Sequence, residues 1–209
     1  MMPDATHLIA FCAVAGVVLA TPGPNFVYIL TRGATQGRRA ALLAAAGLGC
    51  GALLHTTLAA AGISALVRSS YVAIQMVKYG GSAYLVILGV RVILSRAPLL
   101  CPDDVPSARP GQIVWQSVVA SMTNPKTILF FLSFLPQFVV PGSAVASQLI
   151  VFGGLYALLT VIIYTVVGGL AGVIGRAVRT QPIVASRMRW VAGGSFIGLG
   201  VWAAMPARR

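Results

Sequence analysis

One stretch of this chain, residues 40–67, contains no aspartate, glutamate, lysine or arginine. A membrane span needs about 20 mostly apolar residues, so this stretch alone is long enough to cross a bilayer. The rest of the chain has the same character, because 58% of its 209 residues are hydrophobic and only 9% are charged. Soluble domains carry about 25% charged residues. The sequence therefore predicts an all-α, polytopic membrane protein.

Polar or basic segments divide the chain into six apolar stretches. These run over about residues 7–31, 40–67, 71–94, 113–138, 148–174 and 190–205. We predict a polar turn at 33–37, a hydrophilic loop at 95–111 and a basic loop at 176–189. The prediction is one transmembrane transporter domain over 1–209, with halves 1–95 and 110–209 and a linker over 96–109. Three spans in each half give the halves opposite orientations, which is a 3+3 inverted repeat.

The net charge of +12 arises mainly because the chain has only three acidic residues. No soluble basic domain is present, so nucleic acid is not an expected partner. The first, third and fifth loops, with the adjoining helix ends, hold most of the arginines. The positive-inside rule places these loops in the cytoplasm. Both termini are then predicted to lie outside, and Arg208 and Arg209 are the residues that disagree with this orientation.

Prolines interrupt the first and fourth spans at matching places in the two halves. The residues concerned are Pro22, Gly23, Pro24 and Asn25 in the first span and Asn124, Pro125 and Lys126 in the fourth. Proline lacks a backbone N–H and clashes with the preceding turn, so both helices are predicted to be broken. The freed backbone groups must face protein or a water-filled cavity. Matched broken helices indicate a transporter site, in which amides face a carboxylate and carbonyls face an ammonium. A plain kink in each helix is the alternative.

Two ionisable residues lie inside predicted spans. Lys126 directly follows the second proline break, where its amine is placed to bind a substrate carboxylate. The alternative is that its long side chain extends to the cytoplasmic interface. His55 lies in the middle of the second span, where it fits either a proton relay or an interhelical hydrogen bond.

Other chemistry is poorly supported by the sequence. Cys12 and Cys50 lie in apolar stretches, Cys101 lies in a loop, and no CxxC pair occurs. No acid lies within a predicted span, which argues against a metal-cation site and against a paired-carboxylate active site. We therefore expect no enzyme activity, no metal and no cofactor. The glycine pairs 47/51, 168/172 and 194/198 have the small-xxx-small spacing that allows helices to pack closely.

Four stretches of the chain resemble the LysE/RhtB family of bacterial amino-acid exporters. They are residues 21–25 (TPGPN), 78–91 (KYGGSAYL followed by GVR), 124–138 (NPK, FF and LPQF) and 194–200 (GSFIGLG). The resemblance covers nearly the whole chain and implies a six-span protein of the bacterial inner membrane. It also implies export of amino acids or close derivatives by the proton-motive force. Gly80 and Tyr84, in the second stretch, join His55 as candidates for lining the cavity or for coupling.

The resemblance implies an amino-acid substrate and a lipid bilayer as partners, and it leaves room for a homo-oligomer. Asn25 stands where family members carry Asp or Asn, so the chain has no carboxylate at that point to carry a coupling proton. Threonine, homoserine and its lactone, leucine-like and basic amino acids are all compatible substrates, and a zwitterion fits best. A thiol-redox carrier and a passive channel of similar architecture are the alternative functions.

Overall fold

The computed structural model describes residues 4–69, 71–95, 108–140, 144–180 and 182–205. Every regular element in these ranges is a helix, which confirms the all-α prediction. The α-helices are α1 (Ala5–Ala20), α2 (Pro24–Ser69), α3 (Tyr71–Leu94), α4 (Pro110–Met122), α5 (Pro125–Leu129), α6 (Val145–Gly169), α7 (Ala171–Thr180) and α8 (Pro182–Ala204). A π-helical turn (Phe130–Phe134) and a 3₁₀ turn (Leu135–Phe138) follow α5.

The first predicted span is interrupted where its prolines lie, since α1 ends at Ala20 and α2 begins at Pro24. The polar turn predicted at 33–37 coincides with a kink in α2, where two helical segments meet at Gly37. Only Gly37 leaves the helical conformation, with φ 82° and ψ 179°. This φ is one that glycine adopts without steric cost. The expected loop is therefore a kink at a single residue.

The fourth predicted span is also interrupted at its proline. Helix α4 ends at Met122, and the chain turns before α5 begins at Pro125. The two arms, Pro110–Met122 and Pro125–Phe138, are bent by 51°. The second arm contains the π-helical turn, a feature that often marks functional sites in helices.

The basic loop predicted at 176–189 is wrong, because α7 runs to Thr180 and α8 begins at Pro182. Proline is favoured in the first turn of a helix, where its missing N–H costs nothing. The helix that contains the sixth predicted span therefore starts well before Trp190. By contrast, α3 has the bounds predicted for the third span.

Close packing at glycines fixes how the helices meet. Helix α2 packs against α4 and α6, α3 packs against α8, and α1 packs against α6. A Cβ atom at Gly47 would lie 2.5 Å from the carbonyl oxygen of Val114, and Gly51 is equally tight against Ser121. The predicted packing role of this pair is confirmed. Gly194 and Gly198 instead face open space, while neighbouring Gly193 meets α3.

A cluster of aromatic rings anchors the arm that follows the second break. The ring of Phe11 on α1 lies 5.8 Å from Phe130, 5.2 Å from Phe138 and 4.8 Å from Phe152, measured between centroids. Edge-to-face and tilted contacts of this kind are favoured by the ring quadrupoles. Tyr156 on α6 adds a stacked contact at 4.5 Å from Phe130. The arm is thus held between α1 and α6.

Two described helices, Pro24–Gly62 and Val145–Gly169, are long and apolar enough to cross a membrane. The bent pair of α4 and the arm after it gives a third if it is counted as one span. Helix α1 and the Tyr79–Leu94 part of α3 are apolar but shorter. The described part of the chain is therefore of membrane-protein type, and the six-span arrangement stays a prediction.

Candidate functional site

The first helix break is closed by a side chain from the other half of the molecule. Pro22 has no N–H, so the carbonyl of Val18 has no partner in the next helical turn. The Lys126 amine fills this role, since its Nζ donates to the Val18 oxygen at 2.8 Å and to the Thr21 oxygen at 2.9 Å. The Lys126 side chain is only 3% exposed. It turns into the protein and does not extend to an interface.

Gly23 and Phe196 complete the surroundings of the Lys126 amine. A Cβ atom at Gly23 would lie 3.1 Å from Nζ, so a larger residue there would press on the amine. On another side, Nζ lies 5.5 Å from the centre of the Phe196 ring, within the range of a cation–π contact. The amine is thus held by two carbonyl oxygens and an aromatic face, and its partners in the described residues include no carboxylate.

A small cavity of about 10 Å³ lies beside this amine. Its lining is apolar apart from the lysine and comprises Val18, Leu85, Lys126, Phe130, Phe134, Phe196 and Leu199. A space of this size holds about one water molecule. An amino acid therefore enters only if the surrounding helices move apart.

The second helix break is closed in the same way by a different residue. Pro125 has no N–H, so the carbonyl of Ser121 loses its usual helical partner. His55 Nε2 lies 3.2 Å from this oxygen and donates to it, and the backbone N–H of Asn124 donates at 3.2 Å. The imidazole also stacks on Phe131, with 5.3 Å between ring centroids. His55 therefore makes the interhelical hydrogen bond that was one of its two predicted roles.

Two asparagines at the breaks keep unused hydrogen-bonding atoms. Asn124 Oδ1 accepts from the backbone N–H of Lys126 at 3.0 Å, which caps α5. Asn25 Nδ2 lies 3.5 Å from Thr127 Oγ1 across the two halves. Asn25 Oδ1 and Asn124 Nδ2 are buried without a partner. Unpartnered buried polar atoms are costly, so this acceptor and this donor are suited to a polar ligand.

The structure brings most of the predicted site residues together at the breaks, but not those of α3. Gly80 and Tyr84 are exposed, and a Cβ atom at Gly80 would meet nothing within 4 Å. The adjacent residues face inward, since Gly81 packs against Ser133 and Leu85 lines the cavity. The resemblance pointed to the correct stretch of α3, but only the rotation of the helix decides which of its residues face the site.

Sequence reasoning missed two contributors to the interior. They are Phe196, which lies in the stretch 194–200, and Arg32, which directly precedes the predicted turn at 33–37. Arg32 is buried, and its Nη1 donates to Gln36 Oε1 at 3.0 Å. The spacing of Asn25, Tyr28, Arg32 and Gln36 is the available signal, because residues three and four apart share one helix face.

Metal binding finds no support in the described ranges. They contain no group of three or more histidine, cysteine, aspartate or glutamate residues placed to hold a metal ion. Cys12 and Cys50 are free thiols, and Cys101 lies outside the described residues.

Comparison with known proteins gives a consistent picture. A family model described as LysE type translocator matches residues 16–206. An uncharacterized membrane protein of Vibrio cholerae is 32% identical over 92% of this chain and 94% of its own length. A leucine efflux protein of Klebsiella pneumoniae is 35% identical over 58% of each chain. A homoserine/homoserine lactone efflux protein of Salmonella typhimurium is 25% identical over 88% of this chain and 83% of its own. No solved structure matches the chain.

Proposed function

The chain belongs to the LysE type translocator family, and from this premise we propose that it exports amino acids or close derivatives across the bacterial cytoplasmic membrane. The relatives named for leucine and for homoserine efflux support a zwitterionic substrate with no net charge. The observation that carries the proposal is the buried Lys126 amine, which bridges the carbonyls opened by the first break. We take the proton-motive force as the energy source.

The contacts of Lys126 are ones that a zwitterion can replace. The ammonium of an amino acid has the same donors as the lysine amine, so it can take the carbonyls of Val18 and Thr21. The released Lys126 amine then binds the substrate carboxylate, and the unpartnered Asn124 Nδ2 is a further donor near it. Charge-assisted hydrogen bonds of this kind are roughly twice as strong as neutral ones. The site residues we assign are Pro22, Gly23, Pro24, Asn25, Asn124, Pro125 and Lys126.

Six spans in a 3+3 inverted repeat fit the order of the helices. Each half begins with a short helix, a proline break and a second helix. These helices are α1 and α2 in the first half and α4 and α5 in the second half. The contact of α1 with α6 has its counterpart in the contact of α4 with α2. Inverted repeats with discontinuous helices place the substrate between the halves. The basic segments between the proposed spans are assigned to the cytoplasm and both termini to the outside.

The cavity beside Lys126 is too small for an amino acid, so transport requires the helices around it to move. Since it holds about one water, the helices around the breaks separate to admit substrate, first on one side and then on the other. The predicted spans contain no acid, so the coupling proton is carried by Lys126 or His55, the two ionisable groups that close the breaks.

Efflux from proteoliposomes tests the proposal. Vesicles containing the purified protein are loaded with labelled leucine, homoserine, threonine or lysine, and a pH gradient is imposed with and without an uncoupler. We expect saturable efflux of one or more of the zwitterions that collapses with the uncoupler. Protein-free vesicles are the control. Non-saturable flux that ignores the uncoupler would indicate a channel, and loss of flux in a variant lacking all three cysteines would indicate thiol chemistry.

The orientation has its own test. Single cysteines are introduced by Ser107→Cys and Gly142→Cys in a background without native cysteines, and whole cells are treated with a membrane-impermeant maleimide. We expect labelling at position 142 from outside and none at position 107. The reverse pattern would invert the assigned topology.

A further inference from the structure

Arg32 is a buried cation without a counterion in the described part of the chain. Its side chain is 6% exposed and lies between α2 and α4. Nη1 donates to Gln36 Oε1 and Nη2 donates to Gln116 Oε1. The guanidinium carbon lies 5.3 Å from the centre of the Tyr28 ring. Neutral amides and a ring therefore hold this charge, and no described carboxylate forms an ion pair with it.

The guanidinium also has unused binding capacity. Its Nε is buried and has no hydrogen-bond partner. Arginine stays protonated in proteins and offers five donors in a planar fork that suits a carboxylate. Buried arginines are usually paired with an anion. The Arg32 guanidinium is therefore suited to bind an anionic group that is not part of the described chain.

An open cleft is lined by Gln36, the residue that accepts from Arg32 Nη1. It has a volume of about 340 Å³ and lies between the kinked part of α2 and the start of α4. Gln36 forms part of its wall and also binds Arg32, while Arg39 lines another part and adds a second positive charge. Sites for small molecules are typically about 300–1,000 Å³. The cleft is thus large enough for a ligand that the cavity beside Lys126 is too small to admit.

Polar side chains continue from Arg32 toward the broken helices. One helical turn before Arg32 on α2, in the direction of the first break, Tyr28 Oη lies 3.2 Å from Ser117 Oγ of α4. One further turn along, Asn25 reaches Thr127. A polar seam between two apolar helices is costly in a membrane protein unless it serves a pathway. Here the seam joins the open cleft to the breaks.

We propose that Arg32 is a second carboxylate site, which receives the substrate at the cytoplasmic end of the α2–α4 seam before it reaches Lys126. The cleft admits the amino acid, Arg39 attracts it, and the guanidinium of Arg32 binds its carboxylate while the ammonium stays in the cleft. This proposal rests on the proposed export function and adds an entry site to it.

Thiol protection at the cleft tests this site separately from transport. Thr35 lines the cleft, so Thr35→Cys is introduced in a background with Cys12, Cys50 and Cys101 changed to serine. The rate of maleimide labelling of the purified protein is measured against leucine and leucinamide concentration. We expect leucine to protect the introduced thiol and leucinamide, which lacks the carboxylate, to protect far less.

Three variants show which charge provides the protection. Arg32→Gln should raise the half-protecting leucine concentration roughly tenfold or more. Arg32→Lys should give a smaller shift, because an amine cannot form the planar fork. The matched control is Arg38→Gln, which removes the same charge from a neighbouring exposed position and should leave protection unchanged. Equal labelling rates without ligand check that the cleft is intact in each variant.

Lys126→Met distinguishes the two sites. It should leave cleft protection unchanged while it impairs export. Equal protection by leucinamide, or full protection in both Arg32 variants, would overturn the Arg32 site even if the wild-type protein exports leucine. Conversely, leucine protection in a protein that fails the efflux assay would refute the export function and leave a carboxylate-binding cleft.

Discussion

At the first break the carbonyl freed by Pro22 accepts from an amine, and at the second break the carbonyl freed by Pro125 accepts from an imidazole. Lys126 and His55 both come from a different helix than the break they close. Their surroundings differ. The lysine borders a cavity and faces an aromatic ring, whereas the histidine lies stacked on Phe131.

From this difference we expect the break closed by Lys126 to bind substrate and the break closed by His55 to have a mainly structural role. The ammonium of a substrate amino acid can displace the lysine amine from the two carbonyls. The displaced amine can then bind the carboxylate of the same substrate. The Ser121 carbonyl that the imidazole binds already accepts from the Asn124 amide, and the imidazole is held against Phe131 by stacking. We therefore expect the first break to bind substrate and the second to act as a pivot.

The largest expected effect comes from closing the breaks. Pro22→Ala and Pro125→Ala each return a backbone N–H that competes with Lys126 or His55 for the freed carbonyl. We expect export to fall to background in both variants, with normal amounts of protein in the membrane. Leucine binding should be lost in Pro22→Ala and only weakened in Pro125→Ala, where the first break stays open. Normal export by either variant would mean that its break is only a kink.

Removal of the Lys126 charge should have the next largest effect, a loss of leucine affinity. Lys126→Met should weaken leucine binding by roughly tenfold to a hundredfold, since a charge-assisted hydrogen bond contributes about 1.5–3 kcal/mol. Lys126→Arg should be partly impaired because its planar group is larger. Binding isotherms on purified protein measure both. An unchanged affinity in the methionine variant would remove Lys126 from the site.

His55 should matter for stability more than for binding. His55→Leu removes a hydrogen bond to Ser121, but the Asn124 amide still donates to that oxygen, so we expect a loss of about 1 kcal/mol in the free energy of unfolding. Leucine affinity should stay within about threefold of wild type, a change below 0.7 kcal/mol. Thermal unfolding and binding are measured on the same preparation. A tenfold loss of affinity would instead place His55 in the substrate site.

The smallest change in free energy is expected for a substitution at Gly23. A Cβ atom there would lie 3.1 Å from Lys126 Nζ, the flexible end of a long side chain. Gly23→Ala should displace the amine slightly and change leucine affinity by only about two- to fivefold, which is less than 1 kcal/mol. Gly62→Ala, at a helical glycine with open space around it, is the matched control. A loss as large as that of Lys126→Met would show that the amine has no room to adjust.

Several features of the site were open to prediction from the sequence, and others were not. The prolines located both breaks, and the position of Lys126 inside an apolar stretch made it a candidate site residue. His55 was equally recognisable, but its partner Ser121 was not. The turn expected at 33–37 is shorter than the sequence suggested, because a single glycine, Gly37, is enough to change the direction of the helix.

The sequence by itself determined the helical class, the apolar character and the places where helices break, because each depends on local backbone chemistry or on composition. Only the tertiary structure decided that Lys126 reaches Val18 and Thr21, more than 100 residues away in the chain. It also decided that Gly81, and not Gly80, faces the interior. These facts depend on the rotation and packing of whole helices. Lipid and protein interior are both apolar, so the sequence of an apolar helix does not say which of its faces meets the other helices.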